Sequence, residues 1–172
     1  MASIMASLVL AGTASADTIH VPADYVSIQD AIDASSDGDT IAIASGPYLE
    51  WEINPHGKEI TIIGETTKDG KPWVTIDGFN NGSVLVCNSG ETSQTVFENL
   101  MIIGGMADSG AGMYNVHSSP MLRNCWFFWN EATWGAGLCN EYSNPTLVDC
   151  RFVSNIAKSG GGGVFNGVSN PT

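Results

Sequence analysis

The sequence predicts an all-β solenoid, a stack of coils built from short strands. Three observations carry that prediction. One unit is written three times between Leu100 and Thr172 with a period of 25, the last copy having one extra glycine-block residue. A fixed period of that size means stacked supersecondary units. The composition is β-like, with 20 glycines and only 14% charged residues. Outside the repeats, short runs of alternating polarity are punctuated by Gly, Pro, Asn and Asp.

Taken in order, residues 1–16 read as a secretory signal peptide. Ile4 to Ala11 is a short apolar core, and Ala14-Ser15-Ala16 is a small-residue cleavage site before Asp17. The apolar run is too short to span a membrane. Residues 17–172 then form one domain, without a linker. Thr18 opens a short strand that Pro22 breaks. The one convincing helix covers Ile28–Ser35, with Ser27 as N-cap, Asp30 at the capping-box position, and Val26 and Ala31 as a staple. A single amphipathic helix ahead of a run of strands suits a cap over the open end of a sheet stack.

Strands follow at Thr40–Ala44, Trp51–Asn54, Ile60–Ile63, Trp73–Ile76 and Ser83–Val86, with Gly46-Pro47 and Gly64 read as turns. In the repeats, Phe97, Leu122 and Leu147 share an inward position. Leu100, Cys125 and Cys150 share the next, and Ile102, Phe127 and Phe152 the one after. Asn99, Asn124 and Asp149 mark a corner, because Asn tolerates the left-handed backbone. Asn115, Asn140 and Asn166 read as a second corner row, with Asn130 and Asn155 as a third. Stacked amides at coil spacing satisfy one another. These rows are scaffold rather than chemistry.

The 4 cysteines do not follow a zinc-ligand spacing, and no metal or cofactor is implied. Coils stacked roughly 4.8 Å apart bring Cys125 and Cys150 within disulfide range. The alternative is a ladder of buried thiols. A net charge of −12 argues against nucleic acid and anionic membrane partners.

The Phe-x-x-Asn units (Phe127–Asn130, Phe152–Asn155), followed by Gly110-Ala-Gly-Met and Gly135-Ala-Gly-Leu, resemble repeats of the polymorphic outer-membrane protein type. More broadly they resemble right-handed parallel β-helices of the pectin-lyase-like superfamily. The stretch from Ile19 through Gly46-Pro-Tyr-Leu-Glu50 resembles the opening of several such families, including pectin methylesterases. The resemblance implies three parallel sheets wound into about six coils, with the Ile28–Ser35 helix as cap. It does not bring an activity with it. Pectin methylesterases are expected to use paired aspartates and an arginine, but Arg123 and Arg151 occupy different repeat positions, with no Asp pair in register beside them. Pectate lyases need clustered carboxylates and polygalacturonases several close ones. The register assembles neither.

Phe127 faces inward, so Trp126 faces outward, and with Trp129 and Trp134 it is the candidate binding surface. An aromatic face complements the C–H face of a sugar. The resulting expectation is a secreted or cell-surface β-helix that binds polysaccharide or another surface, the alternative being a lyase or hydrolase of the same superfamily. The last copy stops at Asn170-Pro171-Thr172, where earlier copies continue into another strand. The chain is therefore expected to be a fragment, or to pair end to end through its last coil. One consequence is directly measurable: N-terminal sequencing of exported protein is expected to read from Asp17, and a chain still starting at Met1 overturns the leader.

Overall fold

The computed structural model describes residues 15–172. Residues 1–14, which hold most of the expected leader, lie outside the described residues. The first coil contains β1 (Thr18–Val21) and α1 (Ile28–Ala34). Next come β2 (Thr40–Ile43) and β3 (Gly46–Leu49), then β4 (Thr61–Gly64), β5 (Val74–Asp77) and β6 (Leu85–Cys87). The repeats supply β7 (Val96–Glu98), β8 (Leu100–Ile103), β9 (Met106–Ser109) and β10 (Met113–Val116). The following coil is β11 (Met121–Arg123), β12 (Trp126–Phe128), β13 (Glu131–Trp134) and β14 (Leu138–Glu141). The last is β15 (Thr146–Val148), β16 (Arg151–Val153), β17 (Ile156–Gly160) and β18 (Val164–Gly167).

Every strand pairs in parallel with its counterpart one coil away, and the result is a β-solenoid of about six turns. The sheets are six-stranded (β1-β2-β4-β7-β11-β15), five-stranded (β16-β12-β8-β5-β3), four-stranded (β18-β14-β10-β6) and three-stranded (β17-β13-β9). The repeat coils are thus four-sided, not three-sided as expected. The extra side comes from a corner at Gly104, Trp129 and Ser154, all at positive φ, which splits one run into two strands.

Left-handed residues set the other corners too. Gly110, Gly135 and Gly161 form one row, and His117, Tyr142 and Val168 a second. Asn99, Asn124 and Asp149 form a third at φ 58°, 47° and 53°, as the sequence predicts. Asn115, Asn140 and Asn166 differ from expectation: they sit within β10, β14 and β18, paired residue to residue. Asn115 and Asn140 are fully buried. Their side chains point inward and carry a chain of amide hydrogen bonds, Asn115 Nδ2 to Asn140 Oδ1 at 2.9 Å and Asn140 Nδ2 to Asn166 Oδ1 at 2.8 Å. Asn130 and Asn155 follow the left-handed residue rather than adopting that conformation. Asn130 Oδ1 accepts from the Gly105 amide, and its Nδ2 donates to the Ile102 carbonyl.

The apolar core is a set of columns. Ile41, Ile62, Phe97 and Leu122 are buried in register, with Leu147 continuing the column half-buried. Phe127 and Phe152 stack with centroids 4.9 Å apart and planes 8° from parallel. Gly137 makes room for them: a Cβ there would meet Phe152 Cδ1 at 2.7 Å. Each fully buried large apolar side chain stabilises by roughly 1.5–3 kcal/mol.

Three local expectations are corrected. Trp51–Asn54 is not a strand, because Glu52 at φ 56° interrupts the extended backbone; only Ile53 bridges to Leu85. Gly46-Pro47 is not a turn but the start of β3, at a sheet edge where proline's missing N–H costs no ladder bond. The helix is Ile28–Ala34 with Ser27 as its N-cap, but Val26 is 82% exposed, so no staple forms. Glu50 instead accepts from the Ile28 and Gln29 amides and the Ser27 hydroxyl. Ile28, Ala31 and Ile32 join the solenoid core.

Replacing Asn140 with Leu removes the shared partner of two stacked amides, stranding Asn115 in the interior. Chemical denaturation is expected to show a loss of about 3 kcal/mol, and a neutral result would mean the amide chain carries no stability.

Candidate functional site

The outer face of the five-stranded sheet holds the candidate site. Inward residues alternate with outward ones, so Phe127 is buried while Trp126 and Phe128 point out. Two outward rows run along the coil axis. One is Pro47, Thr75, Met101, Trp126 and Arg151; the other is Leu49, Asp77, Ile103, Phe128 and Val153. Both are largely apolar, which is unusual for an uncovered face of a parallel sheet.

The predicted tryptophans separate on this surface. Trp126 meets Phe128 edge-on, with centroids 5.9 Å apart, and Phe128 leans on Trp129 at 5.7 Å. These three rings are contiguous. Trp126 is only half-buried, but the Arg151 guanidinium lies 4.6 Å over its ring and covers one face. Its Nε1 is buried without a hydrogen-bond partner. Trp134 stands apart: at the end of β13 it packs on Phe165, with centroids 5.1 Å apart.

Trp129 is the open ring, 66% exposed. It also sits at φ 52°, where the register-equivalent residues one coil away are Gly104 and Ser154. A bulky side chain in the left-handed region costs about 1–2 kcal/mol, and apart from the contact with Phe128 the indole gains little packing in return.

Phe79 belongs to the same corner and is missed by sequence reasoning. Asp77 pairs with Ile103, and Ile103 with Phe128, so Phe79 lies one residue beyond the position of Gly104 and Trp129. It is 69% exposed at φ 49°. The run Phe79-Asn80-Asn81-Gly82 reads as a turn, and nothing local says that it folds beside Trp129. Between the two rings, Gly104 carries no side chain. The Asp77 carboxylate leans over Gly104, and its Oδ1 accepts from the Phe79 amide at 2.8 Å. Beyond Trp129, Glu131 pairs with Lys158 at 3.3 Å.

Two hollows beside Leu49 and Glu50 are edged by Tyr48 and Trp51; two further concavities carry no Phe, Tyr or Trp ring. A groove of about 570 Å³ is lined by Gly70, Asn124, Asp149, Cys150 and Arg151, but Asn124 Nδ2 is committed to the Gly70 carbonyl and Asn99 Oδ1. An apolar hollow of about 430 Å³ lies among His20, Pro22, Ala42 and Ile63. Among the described residues, no group of three or more His, Cys, Asp or Glu side chains is placed to hold a metal ion. No helix among them is long and apolar enough to cross a membrane. Comparison of the chain with protein-family models, curated proteins and solved structures finds no match.

The structure holds all four cysteines as free thiols. Cys125 and Cys150 occupy equivalent positions one coil apart, each donating to carbonyls: Cys125 to Phe97 and Arg123, Cys150 to Leu122 and Val148. Burial raises the pKa of both. Burial and the Glu141 charge push Cys139 up to about 11, and burial holds Cys87 well above the usual thiol value. A thiol whose pKa is raised by folding stabilises the native state at neutral pH. That contribution is lost as pH rises from the unfolded thiol value, about 8.5, through the folded one.

Stability is therefore expected to fall above about pH 8.5. Thiol titration at neutral pH is expected to find Cys87, Cys125 and Cys139 protected, with 4 thiols on denaturation; finding two would instead mark a Cys125–Cys150 bridge.

Proposed function

We propose that this chain is a carbohydrate-binding solenoid, a right-handed parallel β-helix of the pectin-lyase-like superfamily that works outside the cytoplasm. The observation that carries the binding role is Trp129. Folding places a large aromatic ring at a left-handed corner position and leaves it open to solvent. Glycine serves one coil earlier and serine one coil later. Strain of this kind is retained where it has a use. An exposed indole backed by Phe128 offers a flat apolar face on a rigid support, which is what stacking against a sugar ring requires.

The surrounding architecture supports the same reading. A solenoid repeats its outer surface every coil, so a polymer laid along the axis meets successive coils at strand spacing. Trp126 supports the platform from behind, and Arg151 holds it in place. The superfamily resemblance and the leader-like segment favour an extracytoplasmic setting, where polysaccharide is met.

Trp129→Gly separates binding from folding. Glycine removes the left-handed strain, so the melting temperature is expected to stay level or rise. Retention of the intact chain on a printed glycan array is expected, with a loss in the variant of about three- to tenfold, in the range of one aromatic stacking contact. Equal retention by the two proteins overturns the proposal.

A further inference from the structure

We infer that the ligand at this corner is an uncharged glycan, held between Phe79 and Trp129 with a hydroxyl donated to the carboxylate of Asp77. The inference rests on the carbohydrate-binding reading above and names its substrate class.

The geometry starts with spacing. Gly78, Gly104 and Trp129 occupy equivalent positions in successive coils, and Phe79 follows Gly78. Two coil steps put the Phe79 and Trp129 backbones about 10 Å apart. The coil between them presents Gly104 on its outer side, while Gly105 faces the interior, so the gap is a notch with an exposed aromatic ring on each wall. A Cβ on Gly104 would collide with Asp77 Oδ1, which places that carboxylate on the notch floor. The Asn80 amide donates to the Gly104 carbonyl at 2.7 Å and fixes the Phe79 turn against the floor.

The charges select the ligand. Asp77 Oδ1 accepts the Phe79 amide, and Glu131 Oε1 faces Lys158. Among the described residues, Asp77 Oδ2 accepts no hydrogen bond, whereas Glu131 is turned toward Lys158 in the following coil. An ionised carboxylate only accepts, so its matching partner is a donor such as a sugar hydroxyl, in a charge-assisted hydrogen bond.

The chain has 6 Lys and Arg residues, and none is left over for a ligand anion at the notch. Lys158 is paired with Glu131, and Arg151 lies on Trp126. Arg123 pairs with Glu98 on the six-stranded sheet. Lys58 donates to the Ile32, Asp33 and Ser35 carbonyls at the end of α1. Lys68 and Lys71 belong to the turn whose Gly70 carbonyl meets Asn124, the corner at the opposite edge of the five-stranded sheet. A polyuronate would bring carboxylates to an acidic notch on a chain of net charge −12 and be repelled.

The test is binding of the full chain to two polymer sets in pull-down and titration calorimetry. One set is uncharged (β-glucan, xylan, mannan). The other is polyuronate (polygalacturonate, alginate), at low and high salt, with and without Ca²⁺. Retention by at least one uncharged polymer is expected, changing by less than about twofold with salt, with polyuronates not retained under any condition. Asp77→Asn keeps an acceptor for the Phe79 amide and is expected to weaken uncharged-polymer binding about tenfold. Tighter binding of a polyuronate, with or without Ca²⁺, overturns the inference while leaving the binding role standing. Unchanged affinity in Asp77→Asn overturns the carboxylate's part. Retention of neither set overturns the binding role itself.

Discussion

In the repeat coils, a strand side chain has as neighbours the residues at the same position one coil before and one coil after. That follows from parallel pairing in register, and it governs the rest of the structure. An inward apolar side chain meets another apolar one above it, as Phe127 meets Phe152 and Phe97 meets Leu122. An inward Asn must find another amide, as Asn140 does on both sides. A corner must be turned at the same place in each coil, and left-handed residues recur in rows accordingly. A buried amide outside such a row would lose water without regaining a partner.

The same constraint explains where the rows falter. The Asn115–Asn140–Asn166 chain ends against Cys87 in the preceding coil, and Asn115 Oδ1 is left without a donor. In the first coils, where no 25-residue register operates, single side chains take over. Glu50 ties down the start of the helix. Glu91, only 2% exposed, accepts from the Gly57 and Ser89 amides and the Ser118 hydroxyl. Buried carboxylates surrounded by backbone donors do in the irregular region what stacked amides do in the repeats.

Stacking also divides scaffold from surface. Inward positions are bound by the coils above and below, while outward positions are free to vary. On the five-stranded sheet the outward rows carry apolar and aromatic residues, where a solvated face would carry polar ones. Trp129 exceeds what the corner needs, because Gly104 and Ser154 turn the same corner. The binding surface is thus best seen by subtraction: remove what register explains, and Phe79, Phe128 and Trp129 remain with Asp77 between them.

The sequence by itself determined the solenoid, the inward columns and the Asn99–Asn124–Asp149 corner. A strict repeat makes register a matter of counting, and the alternation of side chains decides facing. It misplaced the other Asn rows because left-handed tolerance is not left-handed occupancy: Asn115 and Asn140 donate along a stack of amides inside strands, and Trp129 takes the corner that Asn130 was expected to take. It also missed β3, since Gly-Pro looks like a turn until a free sheet edge makes it admissible. Only the tertiary structure decided which tryptophan is open. Arg151 lies over one face of Trp126 and Phe165 packs tilted against Trp134, neighbours 25 and 31 residues away, leaving Trp134 40% exposed against 66% for Trp129, and Phe79 reaches the site from two coils earlier. Local sequence reads propensity and period, but exposure and convergence depend on what the neighbouring coils place alongside.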